Sequence, residues 1–354
     1  MRPMPSIMVT LAAVLMVPGA REDFAVQGEM PVGLRSHRAD WLAEGSFGLM
    51  VHYLIAPAGA TEEARTAEFN RIVEGFRLED FIGQFASTGA DWLIFTIGQN
   101  TGYYCSPNEY LDARLPGHTS RRDLILEIAA RVHDLGKRFI AYLPAEVSWR
   151  SEEVQKAFCW EPADPAKSRF QACYQEFIRA YAVKLGRLCD GWWFDGCYEW
   201  EVFHNSHYDW PAWIAAARAG NPDAIVAFND GSFCIGKIRP VTPLEDYLSG
   251  EVHDLVNGMI LLGKGADARP YLPETRFVDG VQWHALVPVD SAFDGGPARR
   301  YSDEELFRFV AACRRVGGAV TINLPIGLDG LIPGESLAQL RRLGEFLQAG
   351  VRDR

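Results

Sequence analysis

The sequence lacks several features that mark common classes of protein. No run of basic residues occurs along its 354 residues, and the formal net charge is -11. Phosphate binding draws its affinity from clustered Lys and Arg side chains, so this composition argues against nucleic acid as a partner. The seven cysteines are scattered without the paired spacing of zinc ligands, which excludes a zinc ribbon.

Long apolar runs are also missing, and the longest candidate lies near the amino terminus. Residues 7–17 are apolar, follow a single basic residue and precede the small residues Gly19 and Ala20. This run is too short to span a bilayer and has the length of the apolar segment of a signal peptide. We therefore predict that residues 1–20 are a signal peptide, that the protein is periplasmic or secreted, and that it has no membrane span. An ordinary apolar amino-terminal segment is the alternative.

The remaining composition is typical of a globular protein. Hydrophobic residues make up 48% of the chain and aromatic residues 12%, which is ample for a sizeable core. Neither a low-complexity segment nor a linker interrupts residues 21–354, so we predict that they form one domain. The ten Trp and twelve Tyr residues hint at sugar binding, because aromatic faces suit the apolar faces of sugar rings.

Apolar runs alternate with amphipathic segments along most of the chain. The predicted strands are Phe47–Tyr53, Trp92–Ile97, Phe139–Leu143, Trp192–Phe194, Ala224–Phe228 and Ala319–Leu324. The predicted helices are Leu78–Thr88, Arg121–Leu135, Phe170–Leu185, Trp213–Ala219, Asp303–Arg315 and Glu335–Gln348. This order predicts an α/β fold with a parallel sheet, and the number of repeats favours a (β/α)8-like TIM barrel. Residues 231–301 break the pattern and are predicted to contain no helix.

One short segment joins a strand to a carboxylate. Residues 191–196 read GWWFDG, and their aromatic bulk is typical of a strand that is buried on both faces. Asp195 therefore lies at the carboxyl end of a strand, where the loops of a TIM barrel form the pocket. The alternative is that Asp195 merely caps a turn before Gly196.

Five segments together resemble a known family. They read FGLMVHY, GADWLIFT, RFIAYLPAEVSW, GWWFDG and GGAVTINLPIGLDGLIPGESLAQLRRLGEFL, and they extend from about residue 47 to the end of the chain. They resemble the catalytic domain of the α-L-fucosidases of glycoside hydrolase family 29. The resemblance implies a distorted TIM barrel with helices missing in its second half, which would account for the irregular residues 231–301. We expect no carboxyl-terminal β-sandwich, although this domain is common in the family.

The resemblance also implies a retaining exo-glycosidase that needs no cofactor. Asp195 matches the family's nucleophile, which attacks the anomeric carbon and forms a covalent glycosyl-enzyme. A second carboxyl protonates the leaving oxygen and later deprotonates water. Glu251, in DYLSGEVH, is our first candidate for this acid/base, and Glu274, in YLPETRFVDGVQW, is the second. Glu146 is a weaker candidate and a predicted ligand of a sugar hydroxyl.

Several more positions are predicted to bind the substrate, an oligosaccharide or glycoconjugate. They are His52, Gln99, Asn100, Tyr104, Glu146, Trp149, Trp193, Asp230, Trp283 and Asn323. Family members usually have a His-His pair where this sequence has Gln99-Asn100, and they often have an Arg where it has Gly231. Exchanged hydrogen-bond partners can shift sugar specificity, so galactose or another sugar stays open beside fucose.

Structural roles stay open for some of these residues. His52, Trp149, Trp193 and Trp283 are also compatible with a core position, and Asn323 with a turn. His204 and His207 are interpreted as surface residues because no third metal ligand lies at a telling interval. A metal-dependent barrel hydrolase would need His-x-His after the first strand, where only His52 occurs, so no metal is predicted. A catalytically inactive carbohydrate-binding relative is the other open alternative.

Overall fold

The computed structural model describes residues 37–99, 101–252, 254–263, 265–289 and 301–352, so the predicted signal peptide and Asn100 lie outside the described residues. Its helices are α1 (Asp40–Glu44), α2 (Glu62–Glu74), α3 (Leu78–Thr88), α4 (Glu109–Asp112), α5 (Leu124–Asp134), α6 (Glu152–Ala157), α7 (Ser168–Leu185), α8 (Trp210–Ala217), α9 (Ser232–Ile235), α10 (Asp303–Arg315) and α11 (Gly334–Arg352). Its strands are β1 (Gly48–Val51), β2 (Trp92–Thr96), β3 (Arg138–Pro144), β4 (Gly191–Asp195), β5 (Ile225–Phe228), β6 (Asp254–Val256), β7 (Met259–Leu262), β8 (Arg269–Tyr271), β9 (Phe277–Val278), β10 (Val281–Gln282), β11 (His284–Pro288) and β12 (Ala319–Leu324).

Seven strands form one curled parallel sheet, in the order β11-β12-β1-β2-β3-β4-β5. Every residue of β1, β2, β5, β11 and β12 is buried, as expected for strands that are covered on both faces. The alternation of these strands with helices is that of a TIM-barrel-like α/β fold.

Residues 246–252 contact both edge strands of this sheet. The backbone N–H of Asp246 donates to the carbonyl of Val226, and that of Val252 donates to the carbonyl of Leu286, each at 3.0 Å. The segment makes isolated β-bridges instead of a regular strand. Among the described residues, the sheet therefore has seven regular strands, whereas the sequence predicted an eight-stranded barrel.

Local signals at the helix ends explain why two helices match their predicted bounds. Helix α3 ends at Gly89, whose φ of 76° is a left-handed conformation that favours glycine. Helix α10 begins after a capping box, in which Ser302 and Glu305 exchange hydrogen bonds between side chain and backbone.

The structure contains regular elements that the sequence did not predict. Residues 231–301 are not without regular structure, because they contain α9, the small antiparallel sheet β6-β7-β8 and the strand β11 of the main sheet. Strand β11 was not predicted because its sequence HALVP contains only one β-branched residue, Val287. Helix α2 was not predicted because it is mostly polar and its apolar face is narrow.

His284 is a buried histidine inside the curled sheet. Its Nδ1–H faces the carbonyl of Leu248 at 2.9 Å, and Nε2 lies 2.7 Å from the hydroxyl of Thr321, which also accepts from Trp92. This residue, His284, is fully buried, and burial lowers its pKa to about 4. It is therefore a neutral imidazole that holds the segment preceding Glu251.

Candidate active site

Polar side chains meet at the edge of the sheet where the parallel strands end. Tyr142 lies near the end of β3, Asp195 ends β4, and Gln99 and Asn229 follow β2 and β5. Because these strands are neighbours in one parallel sheet, their carboxyl ends lie side by side. The cleft at this edge has a volume of ≈ 310 Å³ and is lined by Gln99, Pro144, Glu146, Trp149, Asp195, Gly196, Tyr198, Glu201 and Val202.

The carboxylate of Asp195 accepts hydrogen bonds from five donors. Gly196 contributes its backbone N–H, Tyr142 and Tyr198 their hydroxyls, Asn229 its Nδ2 and Gln99 its Nε2, at distances of 2.5–2.9 Å. Oδ1 accepts three of these bonds and Oδ2 accepts those from Gln99 and Tyr142. A carboxylate offers about four lone-pair sites, so Asp195 is saturated with donors.

Tyr142 and Tyr198 stay protonated under ordinary conditions. Burial, together with the negative charges of Asp195 and Glu251, raises the pKa of both hydroxyls well above 10. Both tyrosines are therefore permanent donors to Asp195.

Asn229 joins Asp195 to Glu251. Its Nδ2 donates to Oδ1 of Asp195 at 2.8 Å and also to Oε2 of Glu251. Its Oδ1 accepts from the backbone N–H of Gly231 and from the hydroxyl of Ser249, which fixes the orientation of the amide. Because both carboxylate oxygens accept a hydrogen bond from the same nitrogen, Oδ1 of Asp195 and Oε2 of Glu251 lie less than about 6 Å apart. This separation fits the roughly 5–5.5 Å of retaining glycosidases better than the roughly 6.5–9.5 Å of inverting ones.

The second acid/base candidate lies elsewhere. Glu274 is exposed in the loop between β8 and β9. Two residues later, the carbonyl of Arg276 accepts from the N–H of Trp283, immediately before β11 begins. Glu274 is thus near the amino ends of the parallel strands, whereas Asp195 is at their carboxyl ends. Of the two candidates, the structure brings Glu251 to Asp195 and leaves Glu274 at the opposite edge.

His52 and Asn323 lie together beside the two carboxyls. Nδ1 of His52 is 2.8 Å from Oδ1 of Asn323, and the imidazole contacts the ring of Tyr142 edge-on at 5.1 Å. Burial lowers the pKa of His52, and the opposing negative charges of Asp195 and Glu251 do not restore it. His52 is therefore a neutral imidazole near pH 7, and its Nδ1–H donates to the amide oxygen of Asn323.

Glu146 and Trp149 form one wall of the cleft. The Glu146 carboxylate accepts from the backbone N–H and the hydroxyl of Ser148, and it pairs with Arg150 at 3.3 Å. Its own loop therefore holds this carboxylate. The side chain of Trp149 is 67% exposed at the rim of the cleft.

Three aromatic residues predicted to bind sugar belong to the core instead. Tyr104, Trp193 and Trp283 are at most 2% exposed, and none of them lines the cleft. Tyr104 packs against Phe177, and Trp193 stacks on Tyr142 at 5.1 Å. Because these large apolar rings are buried in the core, none of them has a face that a ligand could contact.

Asp230 lies close to the cleft but is buried. Its Oδ1 accepts from the hydroxyl of Ser232 at 3.1 Å, and Arg239 is 3.7 Å from its Oδ2. Burial raises the pKa of this carboxyl. Asp230 is therefore buried next to the cleft and does not line it.

Sequence reasoning missed Tyr142, Tyr198 and Asn229, and it missed a tryptophan that covers Gly231. Trp200 is 48% exposed and stacks on Tyr198 at 5.1 Å. A Cβ atom at Gly231 would lie 2.6 Å from the Trp200 ring, and the φ of Gly231 is 68°. The indole therefore occupies the space into which a side chain at position 231 would extend. The one signal for Asn229 was its position directly after a predicted strand.

The described ranges contain neither a cluster of metal-binding side chains nor a helix that could span a membrane. Within them, three or more His, Cys, Asp or Glu side chains nowhere gather as a metal site would require. Among the same residues, each helix is too short or too polar to cross a bilayer. His204 and His207 are both exposed, as expected for surface residues.

No family model and no curated protein sequence matches this chain. Solved structures with a similar fold include the endo-fucoidan hydrolase MfFcnA4 of glycoside hydrolase family 107, with a TM-score of 0.60 and 18% identity over 88% of this chain and 53% of that one. Alpha-L-fucosidase isoenzyme 1 from Paenibacillus thiaminolyticus has a TM-score of 0.61 and 17% identity, with 88% and 75% covered. A family 29 α-L-fucosidase from Bacteroides thetaiotaomicron has a TM-score of 0.60 and 14% identity, with 89% and 74% covered. The chain spans about half the length of the endo-fucoidan hydrolase, and these similarities show a fold shared with both groups.

Proposed function

We propose that this chain is a retaining exo-glycosidase of the α-L-fucosidase type, with Asp195 as nucleophile and Glu251 as acid/base. The observation that carries the proposal is the single amide nitrogen of Asn229 that donates to both carboxylates. It holds them at a separation suited to a double displacement. The fold shared with α-L-fucosidases supports the same class of reaction.

The two carboxyls divide the chemistry between them. In the first step an oxygen of Asp195 attacks the anomeric carbon while the leaving oxygen takes a proton from Glu251. In the second step Glu251 takes a proton from water, and the resulting nucleophile releases the sugar from Asp195. The tyrosine hydroxyls and Asn229 keep the carboxylate of Asp195 oriented through both steps.

Attack requires at least one donor to leave the saturated carboxylate of Asp195. Gln99 is the best placed to leave, because it lies on the loop after β2 and lines the cleft. Tyr142, by contrast, is fixed within β3 and stacked on Trp193. Once displaced, the amide of Gln99 is available to a sugar hydroxyl, which gives it the substrate-binding role predicted from the sequence.

The charge of the cleft favours a neutral sugar. Among the described residues that line it are three carboxylates, Glu146, Asp195 and Glu201, and no Lys or Arg. Arg150 pairs with Glu146, so a sulfated or otherwise anionic sugar would be repelled there by the negative charges of Asp195 and Glu201. The volume of ≈ 310 Å³ lies at the lower end for ligand pockets, which suits one terminal sugar. Fucose is our first choice, and galactose is the alternative.

Two exposed indoles extend the site beyond the terminal sugar. Trp149 lines the rim, and Trp200 stacks on Tyr198, which lines the cleft. Aromatic faces of this kind stack on apolar sugar faces. We propose that these side chains contact the remainder of the glycan.

One observation favours a second candidate, a carbohydrate-binding protein without hydrolytic activity. A carboxylate with a purely structural role would also accept five hydrogen bonds, as Asp195 does. In that case the protein would bind saccharides in the cleft, and substitution of Asp195 would alter stability without removing any activity.

The test is hydrolysis of a panel of aryl glycosides by the wild type and by Asp195→Asn and Glu251→Gln. The panel includes α-L-fucoside, α- and β-galactosides and a sulfated α-L-fucoside. Asp209→Asn is the matched control, because Asp209 caps α8 and Asn is an equally good cap. We expect hydrolysis of one neutral glycoside, its loss in both site variants and its retention in the control. Equal hydrolysis by wild type and Asp195→Asn would contradict the proposal, and saccharide binding without hydrolysis would favour the second candidate.

A further inference from the structure

Two cysteines contact each other away from the cleft. Sγ of Cys159 lies 2.9 Å from Sγ of Cys173, and both side chains are partly exposed. Cys105, Cys189, Cys197 and Cys313 are buried by contrast. The contacting pair is thus accessible to a reagent in solvent.

The backbone at Cys159 gives an independent reason to examine this pair. Cys159 follows α6 and has a φ of 56°, in the left-handed region that favours glycine. A side chain at this position costs stability, so the local fold alone would favour Gly or Asn. A cysteine here is explained if its sulfur has a partner, and that partner is Cys173.

We propose that Cys159 and Cys173 form a disulfide bond when the protein meets an oxidising environment. The Sγ–Sγ bond is about 2.05 Å long, so small rotations of the two side chains bring the sulfurs to bonding distance. The predicted export would bring the pair to such an environment. The bond closes a loop of the residues between positions 159 and 173.

The bond forms by exchange with a small-molecule or protein disulfide. The thiolate of one cysteine attacks that disulfide, which forms a mixed disulfide and releases one thiol. The thiolate of the other cysteine then attacks the protein sulfur and releases the second thiol. Two protein thiols become one protein disulfide, and the external disulfide is reduced to two thiols that carry the protons away.

This bond would fasten one wall of the candidate active site. Helix α6 lies between Trp149 and Cys159, and its Val154 packs against Gly102 in the loop that carries Gln99. Cys173 is on α7, whose buried face packs in the core. The disulfide therefore ties the segment behind Trp149 and Gln99 to a fixed helix.

The experiment treats the folded protein with glutathione disulfide and maps its tryptic peptides by mass spectrometry without reduction. We expect Ala157–Lys167 and Phe170–Arg179 to appear as one linked peptide, lighter by two hydrogen atoms than the sum of both. Reduction should then lower the thermal midpoint by roughly 3–6 °C, because the closed loop constrains the unfolded chain. The double variant Cys159→Ser/Cys173→Ser should not respond to reductant. A glutathione adduct on each cysteine, or a wild-type midpoint that is insensitive to reductant, would overturn the proposal.

Discussion

The buried imidazole of His284 makes the stability of the protein depend on pH in a defined direction. Burial lowers its pKa from 6.5 to about 4, so the unfolded chain takes up a proton at a pH where the folded chain does not. The stabilisation is complete above pH 6.5 and is lost as the pH falls towards 4. The full difference corresponds to about 3 kcal/mol, of which about 2 kcal/mol is lost between pH 7 and pH 5.

The assay is urea unfolding at pH 7 and pH 5 of the wild type, His284→Gln and His207→Gln. His284→Gln removes the titrating group, whereas His207 is exposed and serves as the control. Buried carboxyls such as Glu245, whose pKa burial raises, act in the opposite direction but contribute equally to all three proteins. We expect the wild type and the control to lose about 2 kcal/mol more than His284→Gln. Parallel losses in all three would refute the assignment of this pH dependence to His284.

Three further predictions concern the cleft. Tyr142→Phe removes a donor to Asp195 and should lower kcat/KM about 10- to 100-fold with little change in the thermal midpoint; an unchanged rate would contradict this role. Gly231→Arg should destabilise the fold by about 1–3 kcal/mol in chemical unfolding, and Trp200→Ala in the same chain should restore part of the loss; no rescue would show that the indole is not the obstacle. Trp149→Ala should raise KM for an oligosaccharide about 5- to 10-fold and leave the rate with a glycosyl fluoride unchanged, and equal effects on both substrates would argue against stacking on the aglycone.

Much of the scaffold could be predicted from the sequence. The bounds of Leu78–Thr88, Asp303–Arg315 and Ala319–Leu324 agree with the structure, because helical periodicity, caps and continuous apolar runs are local signals. Strand β11 was not predicted because HALVP has little β-propensity of its own, and its place in the sheet depends on its pairing with β12. The signal peptide, the domain limits and the location of the protein stay predictions.

The site could be predicted only in part. Asp195 was found because a single segment, GWWFDG, places a carboxylate at a strand end. Its donors Tyr142 and Asn229 come from the neighbouring strands β3 and β5, and their convergence depends on the order of strands in the sheet. Trp283 and Tyr104 were assigned to sugar binding because a sequence does not tell a core aromatic from a ligand-binding one.

The most direct test of the central claim is to trap a glycosyl-enzyme on Asp195. The reagent is a 2-deoxy-2-fluoro glycosyl fluoride of whichever sugar the hydrolysis panel identifies, and the readout is the mass of the tryptic peptide Leu188–Arg218. We predict that this peptide gains one fluorosugar, attached at Asp195, and that Asp195→Asn gains none. A label on another carboxylate, or inactivation without any covalent label, would contradict the assignment of Asp195 as the nucleophile of a retaining enzyme.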